Sequence, residues 1–149
     1  MARIPVSQAS LTPVVLGVVR IVVGLLFACH GLQGFGVFGG VDGQGGGVPF
    51  GVWPGWWASV IELTGGVLVL LGFGTRAAAL ICSGAMAYAY FTVHQPLAVL
   101  PLQNMGETAA LYSWVFLLIA VTGPGRFGLG GLLRRRRIAA QEERVPVGV

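Results

Sequence analysis

Four runs of apolar residues, about 13–33, 56–74, 76–93 and 105–121, limit what this chain can fold into more than any other feature. Each reaches or nearly reaches the ~20 residues that carry a helix across a bilayer core. None shows the strict alternation of a membrane barrel, and backbone polar groups in hydrocarbon need internal partners, so helix is the available solution. Charged residues make up 9% of the chain, against roughly 25% in a soluble domain, which leaves lipid as the main solvent. The runs therefore predict an all-α membrane domain over residues 13–133, an antiparallel bundle of four transmembrane helices. Residues 1–12 would form a short cytoplasmic segment, and 134–149 a basic, mobile cytoplasmic tail.

Orientation follows from the arginines. No basic residue lies between Arg20 and Arg76, or between Arg76 and Arg126. With both termini in the cytoplasm, Arg3, Arg76, Arg126, Arg134 to Arg137 and Arg144 all fall inside, as the positive-inside rule requires. A multi-pass protein of a bacterial plasma membrane is expected, with the lipid bilayer as its first partner. The formal charge of +4 does not point to nucleic acid, because the cations form no stripe over a folded surface. Arg134, Arg135, Arg136 and Arg137 instead offer an inside anchor or a contact for anionic lipid.

The outer loop, residues 36–55, is rich in glycine but has no following Lys-Ser/Thr pair, so it does not read as a phosphate-binding loop. Phe50, Trp53, Trp56 and Trp57 suit an interfacial aromatic anchor. "LFAC", Leu26 to Cys29, resembles a lipoprotein cleavage box. The bulk of Phe27, the charge of Arg20 and three further spans argue against processing there.

Polar residues inside the spans carry the functional question. Gly17, Arg20, Gly24, Phe27 and Gly31 share one face of span one; Gly55, Ser59, Glu62, Gly65, Gly66, Val69 and Phe73 share one face of span two. Small residues let these faces approach closely in lipid. Counted from the cytoplasmic ends of the spans, Arg20 and Glu62 differ in depth by about 7 to 8 Å at 1.5 Å per residue. Two readings stand: an Arg20–Glu62 ion pair that locks the helices, or Glu62 as a protonatable group in a ligand or proton pocket.

The same counting puts His30, Gln33, Glu62, His94 and Glu107 in the outer half. Arg20, His30, Glu62 and Glu107 are thus the candidate buried polar or ligand site, with Gln33, His94 and Tyr88 as outer contributors. No catalytic residue is assigned. Asn104 and Glu107 have the spacing of a capping box at the start of span four, and His94 that of a helix-end residue. No His/Cys spacing marks a metal site. Cys29 and Cys82 come out roughly 15 Å apart along the axis, too far for a disulfide.

"VVRIVVGLLFACHGLQGFG", "IELTGGVLVLLGFGTRAAAL", "NMGETAAL" and "GPGRFGLGGLL" occur in an order and spacing that resembles the DoxX-like family of small bacterial membrane proteins. Arg20, His30, Gly31, Glu62, Arg76, Glu107 and the turn Gly123 to Arg126 correspond to its pattern. Two departures stand out: Gly34 where the family often has Lys, and Gly128 and Gly130 where Ser and Asp are usual. The resemblance implies a membrane component that docks or supports redox, respiratory or antioxidant proteins, with protein partners in a membrane redox complex. An alternative it implies is a quinone-linked oxidoreductase subunit of the thiosulfate:quinone type, in which Arg20, His30 and Glu62 would bind a quinone. A small transporter or proton pathway is the third reading.

Overall fold

The computed structural model describes residues 6–131, with side chains from Leu11 onward. Among these residues there are four α-helices and no strand beyond an isolated bridge between Gly40 and Gly46. Arg3, Arg134 to Arg137 and Arg144 lie outside the described residues, as do the expected tail and residues 1–5 of the expected N-terminal segment. Residues 6–12 of that segment belong to the first helix.

Helix α1 is Val6–Gly34, 29 residues with Pro13 inside it. Helix α2 is Gly55–Leu71, α3 is Thr75–Ala89 and α4 is Glu107–Thr122. A π-helical turn, Tyr90–His94, extends α3. Two stretches, Leu11–Gly34 and Thr75–His94, are long and apolar enough to cross a membrane; α2 and α4 are apolar but shorter. Chain reversals follow from local chemistry. Gly72, at φ 72°, takes the left-handed conformation that ends α2, and its N–H donates to Leu68 O at 3.0 Å.

The glycines of α1 bring its backbone onto α2. A methyl carbon added to Gly24 would lie 2.6 Å from the Leu70 nitrogen, and one added to Gly66 would lie 2.6 Å from the Ala28 nitrogen. Gly31 meets Leu63, and Gly34 meets Ser59. As the α1 number rises the α2 number falls, so these two helices run in opposite directions. Gly65 faces Cys82 of α3 instead, and Gly17 faces Phe127, so the two expected glycine faces are each divided between neighbours.

Phe27, Val69, Cys82, Met86, Phe116 and Ile119 fill the core between the helices. Ser83 Oγ ties α3 to α4 by donating to Ser113 O at 2.8 Å. Outside this core the helix surfaces stay apolar: Val22, Leu25, Leu80, Ile81, Trp114 and Val121 are all exposed. A water-soluble monomer rarely shows so much contiguous apolar surface. The exposed hydroxyls of Thr64, Thr92 and Thr122 each donate to the carbonyl four residues back, at 2.7 to 2.8 Å. Such internal satisfaction is what a helix in hydrocarbon requires.

The two long connections are folded. In 35–54, the Gln33 side-chain amide donates to Gly40 O at 3.1 Å, and Asp42 Oδ1 accepts from the N–H groups of Gln44 and Gly46, each at 2.8 Å. Phe35, Phe50 and Trp57 each set a ring edge-to-face against Trp56.

In 95–106, Asn104 is 1% exposed; its amide donates to Ala98 O and its Oδ1 accepts from Gly106 N–H, both at 2.8 Å. That arrangement corrects the expected capping box. Glu107 is the first residue of α4 and the cap position is Gly106, so α4 begins too late for Asn104 to cap it.

Candidate functional site

The expected Arg20–Glu62 pair is not formed. Arg20, 1% exposed, sends Nη1 to Val69 O at 2.5 Å and Leu70 O at 2.6 Å, and Nη2 to Phe127 O at 3.3 Å. Its guanidinium bonds to carbonyls in the last turn of α2, where Val69 O also accepts from Gly72 N–H at 3.1 Å, and the positive charge meets the negative end of the helix dipole.

The counting failed because it started both helices at the same height. The glycine contacts give the true register: Gly31 lies beside Leu63 and Gly24 beside Leu70. On that register Arg20 stands level with about residue 74, about twelve positions from Glu62, or about 18 Å at 1.5 Å per residue.

The segment after α4 closes over the same end. Arg126 N–H donates to Pro13 O and Gly130 N–H donates to Gly72 O, both at 3.1 Å. A methyl carbon on Gly72 would fall 2.5 Å from Gly128 Cα. A methyl carbon on Gly128 would in turn lie 2.7 Å from Pro124 Cβ and 3.3 Å from Gly72 O, so this turn leaves little room for a side chain there. This closed end buries Arg20 and is not the end with the polar cavity.

The opposite half holds that cavity, about 250 Å³ in volume, which receives residues from all four helices. His30 comes from α1, Glu62 from α2, His94 from the π-turn after α3, and Thr108 and Tyr112 from α4, over an apolar floor that includes Phe27 and Met86. Among the described residues Glu62, half-buried, makes no ion pair or hydrogen bond.

The geometry of His94 has local causes. The π-turn, in which Gln95 N–H donates to Tyr90 O at 2.8 Å, shifts the end of α3 out of α-helical phase. His94 Nδ1–H then donates to Asn104 O at 3.0 Å. That bond fixes the tautomer of the neutral ring and leaves Nε2 as its acceptor.

An outer groove of about 490 Å³ adjoins the cavity, shares His30 and Tyr112 with it, and adds Leu26, Cys29, Gln33 and Phe38. The His30 and Tyr112 rings meet edge-on with centroids 5.8 Å apart.

Of the residues singled out from sequence, His30, Glu62 and His94 line one cavity, and Gln33 lines the groove beside it. Arg20 belongs to the closed end. Glu107 is exposed at the start of α4 and does not line the cavity. Tyr88 is 45% exposed and packs its ring on Trp53 with centroids 5.7 Å apart, away from both spaces.

Tyr112 and Thr108 were not singled out. Their signal was present in the i, i+4, i+8 stripe Thr108, Tyr112, Phe116 on a single face of α4. Among the described residues no group of three or more His, Cys, Asp or Glu is placed to hold a metal ion. Both cysteines are free.

The chain is 40% identical over 120 residues to a protein of Haemophilus influenzae described as uncharacterized, an overlap that covers 78% of this chain and 89% of the relative. It is 34% identical over 77 residues to the inner membrane protein YqjF of Escherichia coli K12, covering 52% of this chain and 59% of that protein. No solved structure matches. The DoxX family model matches residues 15–95, a stretch that runs from α1 through the π-turn and takes in Arg20, His30, Glu62 and His94; the chain belongs to the DoxX family.

Proposed function

We propose that this DoxX-family membrane protein is a bundle of four membrane-crossing helices in a bacterial plasma membrane, with both termini in the cytoplasm, and that it serves a membrane redox system by holding a small hydrogen-bonding ligand. Several observations support the topology. Arg20 bonds to Phe127 O, and Gly123 packs against the Arg76 side chain, so the basic positions of the described chain gather at one end. The connections 35–54 and 95–106, at the other end, contain no Lys or Arg. The membrane location named for the Escherichia coli relative is the same.

Helices α2 and α4, with 17 and 16 residues, reach about 25 Å at 1.5 Å per residue, short of the ~30 Å core. The loops that precede them carry exposed Phe50, Trp53, Leu97, Val99 and Leu102, which continue the apolar band.

The observation that carries the ligand reading is the cavity in which His30, Glu62, His94 and Tyr112 meet. A polar cluster inside a membrane bundle is costly unless it is used, and here a carboxyl, two imidazoles and a phenol face one space without saturating each other. The redox setting comes from the family resemblance. A quinone-linked role is a second reading, favoured by these same hydrogen-bonding side chains converging on one space.

The test is purification of the full chain from its own membrane in lipid nanodiscs, with mass analysis of solvent-extracted small molecules and of co-purified proteins. The expected result is a bound small molecule that is lost in Glu62→Gln and retained in Glu107→Gln, together with a co-purified redox protein. An extract of ordinary lipid alone from the unaltered protein overturns the ligand reading.

A further inference from the structure

The shared wall between cavity and groove says where a ligand enters. His30 and Tyr112 line both spaces, so the groove is an antechamber to the polar cavity. Its rim is apolar and open: Leu26 is 51% exposed and Phe38 is 69% exposed. Phe38 is held there in a left-handed backbone conformation, φ 55°, just after α1 ends. Along α1 the rim continues into Val22 and Leu25, which are exposed beside Leu26. On the reading that α1 crosses the membrane, this face meets acyl chains, and the groove opens sideways into lipid.

Charge narrows the ligand further. No Lys or Arg lines either space, while Glu62 does. A phosphate or carboxylate headgroup would find no cation there, and an ionised Glu62 would repel it. Gln33 donates one of its two Nε2 hydrogens to Gly40 O and is itself a neutral amide. The remaining hydrogen-bonding groups suit neutral carbonyl or hydroxyl functions.

We propose that the groove between α1 and α4 is a lateral doorway from the lipid to the His30–Tyr112 pair, and that the ligand is an uncharged, membrane-dissolved molecule with a compact hydrogen-bonding head. The proposal rests on the membrane reading above, and its test separates the two.

Cys29 lies in the groove, half-buried, whereas Cys82 is 0% exposed, so the protein carries its own probe. The full chain is placed in vesicles and treated with pyrene maleimide, which is lipophilic and uncharged, or with sulfonatoethyl methanethiosulfonate, which is anionic and confined to water. Cys29→Ser supplies the blank. Leu80→Cys in that background, on the exposed face of α3, reports whether the helices lie in lipid at all.

The doorway requires that pyrene maleimide label Cys29 and that the sulfonate reagent fail to. It also requires that 4-nonylphenol slow this labelling several-fold, whereas decanoate, of similar chain length but anionic, leaves it unchanged. Labelling of Cys29 by the sulfonate reagent, with Leu80→Cys reached only by pyrene maleimide, overturns the doorway and leaves the membrane reading standing. Labelling of both positions by the sulfonate reagent overturns the membrane reading itself. If neither reagent reaches Cys29 while Leu80→Cys is labelled by pyrene maleimide, the groove is closed and the doorway is wrong. Equal protection by nonylphenol and decanoate removes the neutral-head requirement.

Discussion

The two ends of this helical structure treat a polar residue set in an apolar helix in opposite ways. At one end the Arg20 guanidinium is packed away from solvent and given three backbone carbonyls, and glycines let α1, α2 and the segment after α4 close over it. At the other end Glu62 has no bonding partner among the described residues and faces a cavity with His30, His94 and Tyr112. A charge bonded to three carbonyls consolidates structure, because those bonds are lost if the elements separate, even though the buried Arg20 Nε has no partner among the described residues. An unsaturated carboxyl contributes little to structure and is available for chemistry. The contrast separates two residues that composition alone would have paired.

The largest effect that could break this comparison is at Arg20. Replacing it with Ala leaves the α2 carbonyls and Phe127 O without their charged donor, and the expected loss is about 3 kcal/mol or more of stability. Thermal unfolding in detergent measures it. A change below about 1 kcal/mol would mean that the closed end does not depend on the guanidinium.

Asn104 comes next. Asn104→Ala removes the bonds to Ala98 O and from Gly106 N–H, which should cost about 1 to 2 kcal/mol. Because Asn104 O holds His94, the variant should also broaden the His94 ring signals in NMR, and unchanged signals would detach the loop from the cavity.

Glu62→Gln sharpens the contrast from the other side. If Glu62 were half of a buried ion pair, its neutralisation would cost about 3 to 5 kcal/mol. With no partner to lose, the expected change is under about 1 kcal/mol, alongside loss of the bound molecule. Combined with Arg20→Ala, the two effects should add within about 0.5 kcal/mol. Strong non-additivity would restore the pair.

The smallest effect lies in the outer loop. The N–H groups of Gln44 and Gly46 donate to the Asp42 carboxylate and hold its pKa below the usual carboxylate range. A lowered folded value means that the loop is stabilised above the ordinary value of about 4 and loses that stabilisation as pH falls through the folded one. The protection of the Gly46 amide against exchange, relative to its intrinsic rate at each pH, should therefore fall on acidification in that window, and Asp42→Asn should abolish that fall. An exchange rate that tracks pH identically in both proteins would remove Asp42 as the loop's organiser.

Much of the helical layout was legible because its cause is local. The observed α2, α3 and α4 fall close to apolar runs 56–74, 76–93 and 105–121, and α1 contains the run 13–33. Depth was less legible. Arg20 and Glu62 seemed near each other only because both helices were counted from the ends of their apolar runs, whereas α1 starts at Val6 and its glycines choose the register. Glu107 read as an outer-site carboxyl, yet α4 begins with it and leaves it exposed. Tyr112 was overlooked since a tyrosine in an apolar run is an ordinary packing residue until something shows what it faces.

By itself the sequence determined the solvent and the secondary structure: a chain with so few charges and such long apolar runs must satisfy its backbone internally, and helices do that without regard to neighbours. It also named the polar residues that needed an explanation. Which of them meet was decided by tertiary structure alone. Sliding one helix by a turn along another changes every cross-helix neighbour while leaving each helix intact, and only the close approaches at Gly24, Gly31 and Gly66 select the register that sends Arg20 to carbonyls and leaves Glu62 facing a cavity.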